Sequence, residues 1–600
     1  MCGIAGVIQL GSTPRQDNEK SLSRALDAMQ HRGPDHRRQI ELQGMHIGHV
    51  RLSIIDTQAA AHQPMTDVSG RYTLVFNGEI FNFQTLRQGL QQQEFRTSSD
   101  TEVLLYHLIE NGINKIHELN GFFSFCFIDQ KEQRIHIARD RMGEKPLYYG
   151  IFHDHFYFAS ELQPLLAFDI PKELDKHATT HFLQHGYYPP DRSAIQGIQK
   201  LERGHVITIS EGRCNVKAWS LPETTYDINN PAEAFRETFD AAIERRLISD
   251  VPLCTLLSGG IDSSLVTSIA HQHQHTIPAF TLRFIGSEYL DESSIAARFT
   301  RERNIEHHIL SIDQSQLNKN FGAMLQVMDE PFGDSSALAL YSLTQAIGRP
   351  YKVALSGDGG DELLGGYRKH MAWMRANEAS ALNSILKILP LKLIPSKGEG
   401  RENKWSDRLR KLKKYAALLN TPSEQRYAAL RAFVADTEMQ SLQHIFPAFT
   451  SHVDVKTLNA FLLADQRWVL QGDMLTKTDR CGMWSSMEIR SPFMDPEVIG
   501  FCNALSEEWK ISHGRQKKLL FESFKNDLPE WLWQAPKRGF EIPLQANIDG
   551  WINAFSPNEQ DKSEDFIALL HRMRDPKTSL YLRYNLLMLL HWMERNDISV

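Results

Sequence analysis

The sequence predicts an α/β chain of more than one domain, on three observations. Its 600 residues hold several domains' worth of chain at about 150 residues each. The first two hundred residues carry short apolar or alternating runs between turn formers, which reads as sheet. From Leu253 the pattern changes to strand, Gly-rich turn, helix, the grammar of a parallel sheet covered by helices.

In order along the chain, Gly3 to Leu10, Tyr72 to Phe76, Phe122 to Ile128, Arg134 to Ala138 and Leu147 to Phe158 read as strands. Two helical patterns interrupt them. One follows Asn82; the other runs from Asp100 to Ile109, where an acidic first turn precedes Val103, Leu104, Tyr106 and Leu108. Gly212 to Pro231, with Pro222, Asn229 and Asn230 and little periodicity, reads as a linker. This places one domain at 2–211, a linker at 212–231 and a second domain at 232–600. In the second, Leu253 to Leu257 is a strand, Ser258-Gly259-Gly260 a turn and Ser263 to Ala270 a helix. Ala279 to Phe284 and Tyr351 to Leu355 continue the sheet, and the remainder is predominantly helical.

Lys plus Arg number 66 against 73 Asp plus Glu, a net charge of −7, so there is no global attraction to nucleic acid or to an anionic membrane. The locally basic stretch 387–414 reads as a solvated helix face. Six scattered cysteines without a CxxC pair fit a reducing, cytoplasmic compartment. Apolar runs stay below the roughly 18 residues of a membrane span. We expect a cytoplasmic protein with neither nucleic-acid nor membrane partner; its oligomeric state is left open, a homodimer included.

Cys2 follows the initiator Met1. Removal of Met1 would leave one residue bearing both a thiol and an α-amine, and an α-amine of pKa about 7.7 to 8.0 is well placed as a general base. Three further segments supply what an amide-bearing amino acid needs. Arg51 could clamp an α-carboxylate, Glu79 and Asp100 could hold an α-ammonium, and the Asn77 side chain with the Gly78 N–H could stabilise an oxyanion.

Met1-Cys2-Gly3-Ile4-Ala5-Gly6, His31-Arg32-Gly33-Pro34-Asp35, Arg51 to Asp56, Phe76-Asn77-Gly78-Glu79-Ile80 and Ser99-Asp100-Thr101-Glu102 resemble class II glutamine amidotransferases. The resemblance implies a four-layer αββα sandwich of the N-terminal-nucleophile hydrolase type. It implies Cys2 as nucleophile, and Arg51, Leu52, Ser53, Ile54, Ile55, Asn77, Gly78, Glu79 and Asp100 as glutamine-binding residues.

Ser258-Gly259-Gly260-Ile261-Asp262-Ser263-Ser264 lies between a strand and a helix, so N–H groups, helix N-terminus and hydroxyls converge on one anion. The sequence has no GxxxxGK[ST] and so no P-loop lysine for a γ-phosphate. Ser356-Gly357-Asp358-Gly359-Gly360-Asp361-Glu362 adds three carboxylates on a second Gly-rich loop, which facing phosphates suggests Mg²⁺.

The pair of loops resembles the ATP-pyrophosphatase domain of asparagine synthetases, a HUP-like parallel sheet, as do Asp329-Glu330-Pro331-Phe332, Asp473 to Arg480, Glu488 to Phe493 and Lys537-Arg538-Gly539-Phe540. Both domains, in this order, resemble the glutamine-hydrolysing asparagine synthetase family. The resemblance implies ammonia attack on an acyl-adenylate made from ATP, with aspartate the leading acceptor and an internal ammonia path. By position it implies that Ser258, Gly259, Gly260, Asp262, Ser263 and Ser264 hold pyrophosphate, that Leu256, Leu282, Ser356 and Gly357 contact the nucleotide, and that Asp262 and Asp361 ligate Mg²⁺. Asp358 falls where some members carry glutamate, near the reacting carboxylate. Lys517, in Gly514-Arg515-Gln516-Lys517-Lys518, matches the lysine that neutralises charge on the intermediate. Phe521 stands where many relatives have arginine, a departure on the acceptor side.

Overall fold

The computed structural model describes residues 2–11, 17–92, 94–219, 229–286, 291–378, 380–388, 404–449, 453–535 and 541–600. The Lys537 to Phe540 motif and part of the basic stretch lie outside the described residues.

Among the described residues, twelve strands build the first domain: β1 (Gly3–Gln9), β2 (His36–Leu42), β3 (Met45–Arg51), β4 (Met65–Thr66), β5 (Tyr72–Ile80), β6 (Gly121–Asp129), β7 (Arg134–Arg139), β8 (Tyr148–Phe152), β9 (His155–Ala159), β10 (Ile198–Lys200), β11 (His205–Ser210) and β12 (Arg213–Ala218). They form two antiparallel six-stranded sheets, in the orders β10-β8-β9-β1-β3-β2 and β12-β11-β7-β6-β5-β4. Period-2 alternation sorts β1 between two cores. Ile4 and Ile8 face inward, with Ile47, Val75, Cys126 and Ile137, between the sheets. Ala5 and Val7 face outward against Leu22, Ala25 and Leu26 of helix Asn18–Ala28. On the far side Val103, Leu104 and Leu105 of helix Asp100–Asn111 cover Leu74, Phe76 and Phe125. The layers are therefore αββα.

Two segments differ from the sequence-based expectation. Leu147 to Phe158 is a hairpin rather than one strand, because His153 and Asp154 take φ of +48° and +59° and turn the chain back on itself. Arg213–Ala218, expected as linker, is β12; Glu211 and Gly212, at φ +51° and +70°, make the turn that pairs it with β11. The next described helix, Pro231–Arg246, has its proline in the first turn, where the missing N–H costs nothing.

The second domain is built on a parallel sheet ordered β15-β14-β13-β16-β17, from β13 (Leu253–Leu256), β14 (Ala279–Phe284), β15 (His307–Ile312), β16 (Val353–Leu355) and β17 (Glu488–Arg490). Helices, among them Ile261–His273 and Ser336–Ile347, cover it. The C-terminal helix Leu580–Asn596 is buried from Leu582 to Leu590, with an apolar run from Leu586 to Leu590 packed into the core, as a helix inside a large core must be. Apolar clusters run through both domains: Leu22 and Phe182 share one with Leu586 and Trp592, and Leu52 and Ile54 share another with Leu470 and Phe493.

Candidate active site

The nucleophile candidate enters β1 from a fixed position. The Cys2 N–H donates to Asn77 Oδ1 at 3.0 Å, and its carbonyl accepts from Arg32 Nε at 3.0 Å. Its Sγ lies 4.0 Å from the Leu52 carbonyl. Burial pushes the thiol pKa up, with Arg51 acting against it. Asn77 pairs with Ser124 across β5 and β6, and its Nδ2 faces the Ser124 and Ser160 hydroxyls at 3.5 and 3.4 Å. Gly78 is required there, since a Cβ would collide with the Phe122 carbonyl.

Ser99 caps helix Asp100–Asn111, accepting from the Glu102 N–H, while the Glu102 carboxylate takes the Thr97 N–H and hydroxyl at 2.7 Å each. This buried network sets Asp100 beside Glu79, with Asp100 Oδ2 accepting from the Ile80 N–H at 2.9 Å. Burial pushes Asp100 up to about 6. Burial, then Asp100 and Glu488, push Glu79 well above the carboxylate range. Arg51 is 4% exposed, and its terminal nitrogens donate to the Ile55, Asp56 and Gln58 carbonyls. It therefore shapes the Leu52 to Asp56 loop, with part of its guanidinium left for a substrate.

Residues of the second domain hold that loop in place. Asp250, just before β13, accepts from the Asp56 N–H at 2.7 Å and donates its own N–H to the Ile54 carbonyl. Lys352, just before β16, reaches Asp35 at 2.7 Å, whose carboxylate also takes the Ser53 N–H. The strands that carry these two residues end in the predicted phosphate loops.

At that end, Gly259 (φ +83°) turns the chain into helix Ile261–His273. Ser258 Oγ meets Ser263 Oγ at 3.0 Å and takes the Gly260 N–H at 3.3 Å. The second loop packs against the first: a Cβ on Gly357 would stand 2.7 Å from the Ser263 nitrogen. Leu256 and Leu282 are buried near the ends of β13 and β14. Lys517 sits at φ +53°, a conformation that costs a non-glycine residue about 1 kcal/mol or more. Its Nζ lies 2.6 Å from Asp361 and in closer contact with Asp262. Its neighbour Lys518 turns away, over the Trp509 ring. Two carboxylates thus converge on one cation position, a donor set that suits Mg²⁺ when phosphates complete its shell. Among the described residues no cluster of three or more His, Cys, Asp or Glu forms a closed metal site.

Asp358, expected near the acceptor, has its Oδ2 accepting from Ser356 Oγ at 2.7 Å and Thr478 Oγ1 at 3.3 Å. Thr478 belongs to helix Leu475–Met483, which continues a π-helical turn, Gln466–Met474. Such wide turns recur at functional sites. On the same helix Lys477 Nζ lies 2.9 Å from Asp334 and from Ser336 Oγ. Burial and Asp334 push Asp473 well above its usual range. Phe521 packs edge-on against Trp533, with the Arg515 guanidinium 3.8 Å over its ring.

Two residues past Lys477, Asp479 receives Arg32 from the first domain, with Nη1 2.8 Å from Oδ2 and Nη2 3.2 Å from Oδ1. A cavity of about 20 Å³, room for about one water-sized molecule, lies beside this pair, lined by Ser160, Glu161, Thr476 and Asp479 among others. Arg32 and Asp479 stand within the quoted motifs, but nothing in the sequence pairs them across 447 positions. Ser160, Glu161, Asp250 and Lys352 carry no sequence signal of their own.

A buried cysteine beside β1 in an αββα sandwich, joined to a parallel sheet with two packed Gly-rich loops, agrees with a glutamine-dependent amidotransferase coupled to an ATP-using domain, the class that the family matches give. Residues 1–220 match the glutamine amidotransferase domain family and residues 234–569 the asparagine synthase family. The chain belongs to the asparagine synthase family. It is 28% identical over 588 residues to asparagine synthetase [glutamine-hydrolyzing] 1 of Bacillus subtilis, covering 94% of this chain and 90% of that one. It is also 28% identical over 400 residues to a Penicillium rubens protein named amidase chyE, covering 61% of this chain and 59% of that one. The solved glutamine phosphoribosylpyrophosphate amidotransferase from B. subtilis aligns at TM-score 0.29 and 17% identity, over 59% of this chain and 81% of that one.

Proposed function

We infer that the protein hydrolyses glutamine at Cys2, passes the ammonia inward and transfers it to a carboxylate activated as its adenylate. Once Met1 is removed, the nitrogen now donating to Asn77 Oδ1 becomes the free α-amine. It takes the thiol proton while Sγ attacks the glutamine amide, giving a thioester and ammonia; water then releases glutamate. In the second domain the acceptor carboxylate attacks the α-phosphate of ATP, pyrophosphate leaves, and ammonia displaces AMP to give the amide.

The Arg32 bridge carries this reading, because one guanidinium touches both the Cys2 carbonyl and Asp479, on the helix that supplies Thr478 to Asp358. The small cavity beside the bridge fits a molecule the size of ammonia, and internal delivery raises its effective concentration at the adenylate. Asp262 and Asp361 would hold Mg²⁺ on the departing pyrophosphate, where the metal would neutralise phosphate charge. Ser258, Gly259, Gly260, Ser263 and Ser264 would cradle that group, and Lys517 would neutralise the intermediate. The free cysteines and the absence of a helix apolar enough to cross a membrane among the described residues support a cytoplasmic setting.

Aspartate, giving asparagine, is the leading acceptor. A different carboxylate, such as a sugar acid, is the second reading: Lys477 is already paired with Asp334, and Phe521 replaces a cation on the acceptor side. The name amidase given to the Penicillium relative agrees with acceptor variety within the family. The test incubates the protein, Met1 removed, with glutamine, ATP, Mg²⁺ and aspartate. Asparagine and pyrophosphate formed in equal amounts support aspartate; glutamate without either excludes it and directs the assay to other carboxylates.

A further inference from the structure

The Glu488 to Phe493 motif lies in the second domain, yet its arginine points into the first. Arg490 is fully buried on β17. Its Nη1 donates to the Arg246 and Ile248 carbonyls at 2.9 and 2.7 Å, and its Nε to Glu488 at 2.6 Å. This leaves Nη2, which makes no hydrogen bond, 3.7 Å from Glu79 Oε1. Glu79 is itself 5% exposed, and its Oε2 is buried without a hydrogen-bond partner. A carboxylate held this way has unspent capacity for one more cation, and a buried carboxylate keeps its charge only if cations face it.

We propose that Arg490 is a positioning residue for glutamine: its guanidinium, facing Glu79, favours the charged carboxylate that would meet the substrate's α-ammonium, so the second domain completes the glutamine pocket. This rests on the reading of Glu79 as an ammonium ligand. The charged groups facing Glu79 are Asp100 from helix Asp100–Asn111, Glu488 and Arg490 from β17, and the amino-terminal charge; the Cys2 thiol feels Glu79 in turn. Lys145 lies beyond, near Glu488. Asp100 and Glu488 hinder ionisation of Glu79, whereas Arg490 favours it. Three acids, Glu79 included, against Arg490 and the amino-terminal charge still leave room for the positive charge that glutamine brings.

The opposing signs give the test. Glutamate release by the full-length protein is followed against pH, with kcat and KM for glutamine separated. The proteins compared are the wild type, Arg490→Gln, Arg490→Lys and Glu488→Gln. Arg490→Gln should raise KM for glutamine about tenfold or more at neutral pH and move the acid limb of 1/KM to higher pH. Arg490→Lys should fall between it and the wild type. Glu488→Gln should move the same limb to lower pH. An unchanged KM in Arg490→Gln, or limbs that fail to move in opposite directions, overturns the proposal. Should Arg490→Gln fail to fold, the Glu488→Gln limb decides alone: an unmoved or raised limb overturns the proposal. The underlying reading of Glu79 as the ammonium ligand fails separately, if Glu79→Gln leaves KM for glutamine unchanged.

Discussion

Arg32 and Asp479 form a two-pronged buried ion pair between the domains, at 2.8 and 3.2 Å, and the same guanidinium reaches Glu161 at 2.8 Å. Although burial opposes it, Arg32 followed by Lys145 holds Asp479 below the usual carboxylate range. Removing one member of such a pair strands the other in a dry interior and costs about 3 to 5 kcal/mol. Arg32→Met should therefore lower unfolding free energy by about 3 kcal/mol in denaturant melts. Arg32→Met combined with Asp479→Leu should recover only part of that loss: Asp479 is no longer stranded, but Glu161 still lacks Arg32 and Lys145 lacks Asp479.

Cys2→Ala should abolish glutamate release while ammonium salts still drive acceptor-dependent pyrophosphate release from ATP. Both can be measured in one preparation. Loss of the two together would contradict the assignment of the steps to separate domains.

Asp262→Asn should remove pyrophosphate release by at least about a hundredfold and spare glutamate release. Gly366→Ala tests the same site by crowding, since a Cβ there would collide with both Asp361 and Lys517. The alanine variant should lose pyrophosphate release and keep glutaminase activity.

Glu161 supplies a pH signature. Burial opposes its ionisation, yet His31 and Arg32 hold its carboxyl down to about 2 from an ordinary 4.5. A folded-state pKa below the unfolded one stabilises the fold above about pH 4.5, and that contribution fades as pH falls towards 2. Wild type should exceed Glu161→Gln in stability by about 3 kcal/mol at neutral pH, the gap closing across that window. Glu144, which burial raises to about 8, works the other way. It favours the fold below about pH 4.5 and loses that contribution as pH rises through 8, and comparing the two proteins cancels it.

The local parts of the site were legible in the sequence because their chemistry is local. Ser99 announces the helix that presents Asp100, and the Ser258 to Ser264 run announces a strand, a turn and a helix. The hairpin at His153 and Asp154 was missed because neither residue is glycine, so the left-handed turn carries no composition signal. The cross-domain partners were missed for a different reason. Arg32, Asp250, Lys352 and Arg490 act on residues hundreds of positions away, and only the packed sheets bring them together.

Asp250 and Lys352 grip the Asp35 and Leu52 to Asp56 segments from the positions just ahead of β13 and β16, and the far ends of those strands lead into the Ser258 to Ser264 and Ser356 to Glu362 loops. The two halves are therefore poor candidates for interchange. A first domain borrowed from a relative would hold its Leu52 to Asp56 loop on this sheet only where it brought a carboxylate to Lys352 and a backbone N–H to Asp250 in the same register. Exchange of whole chains, or of the loop together with both strand heads, is the unit in which this architecture can be recombined.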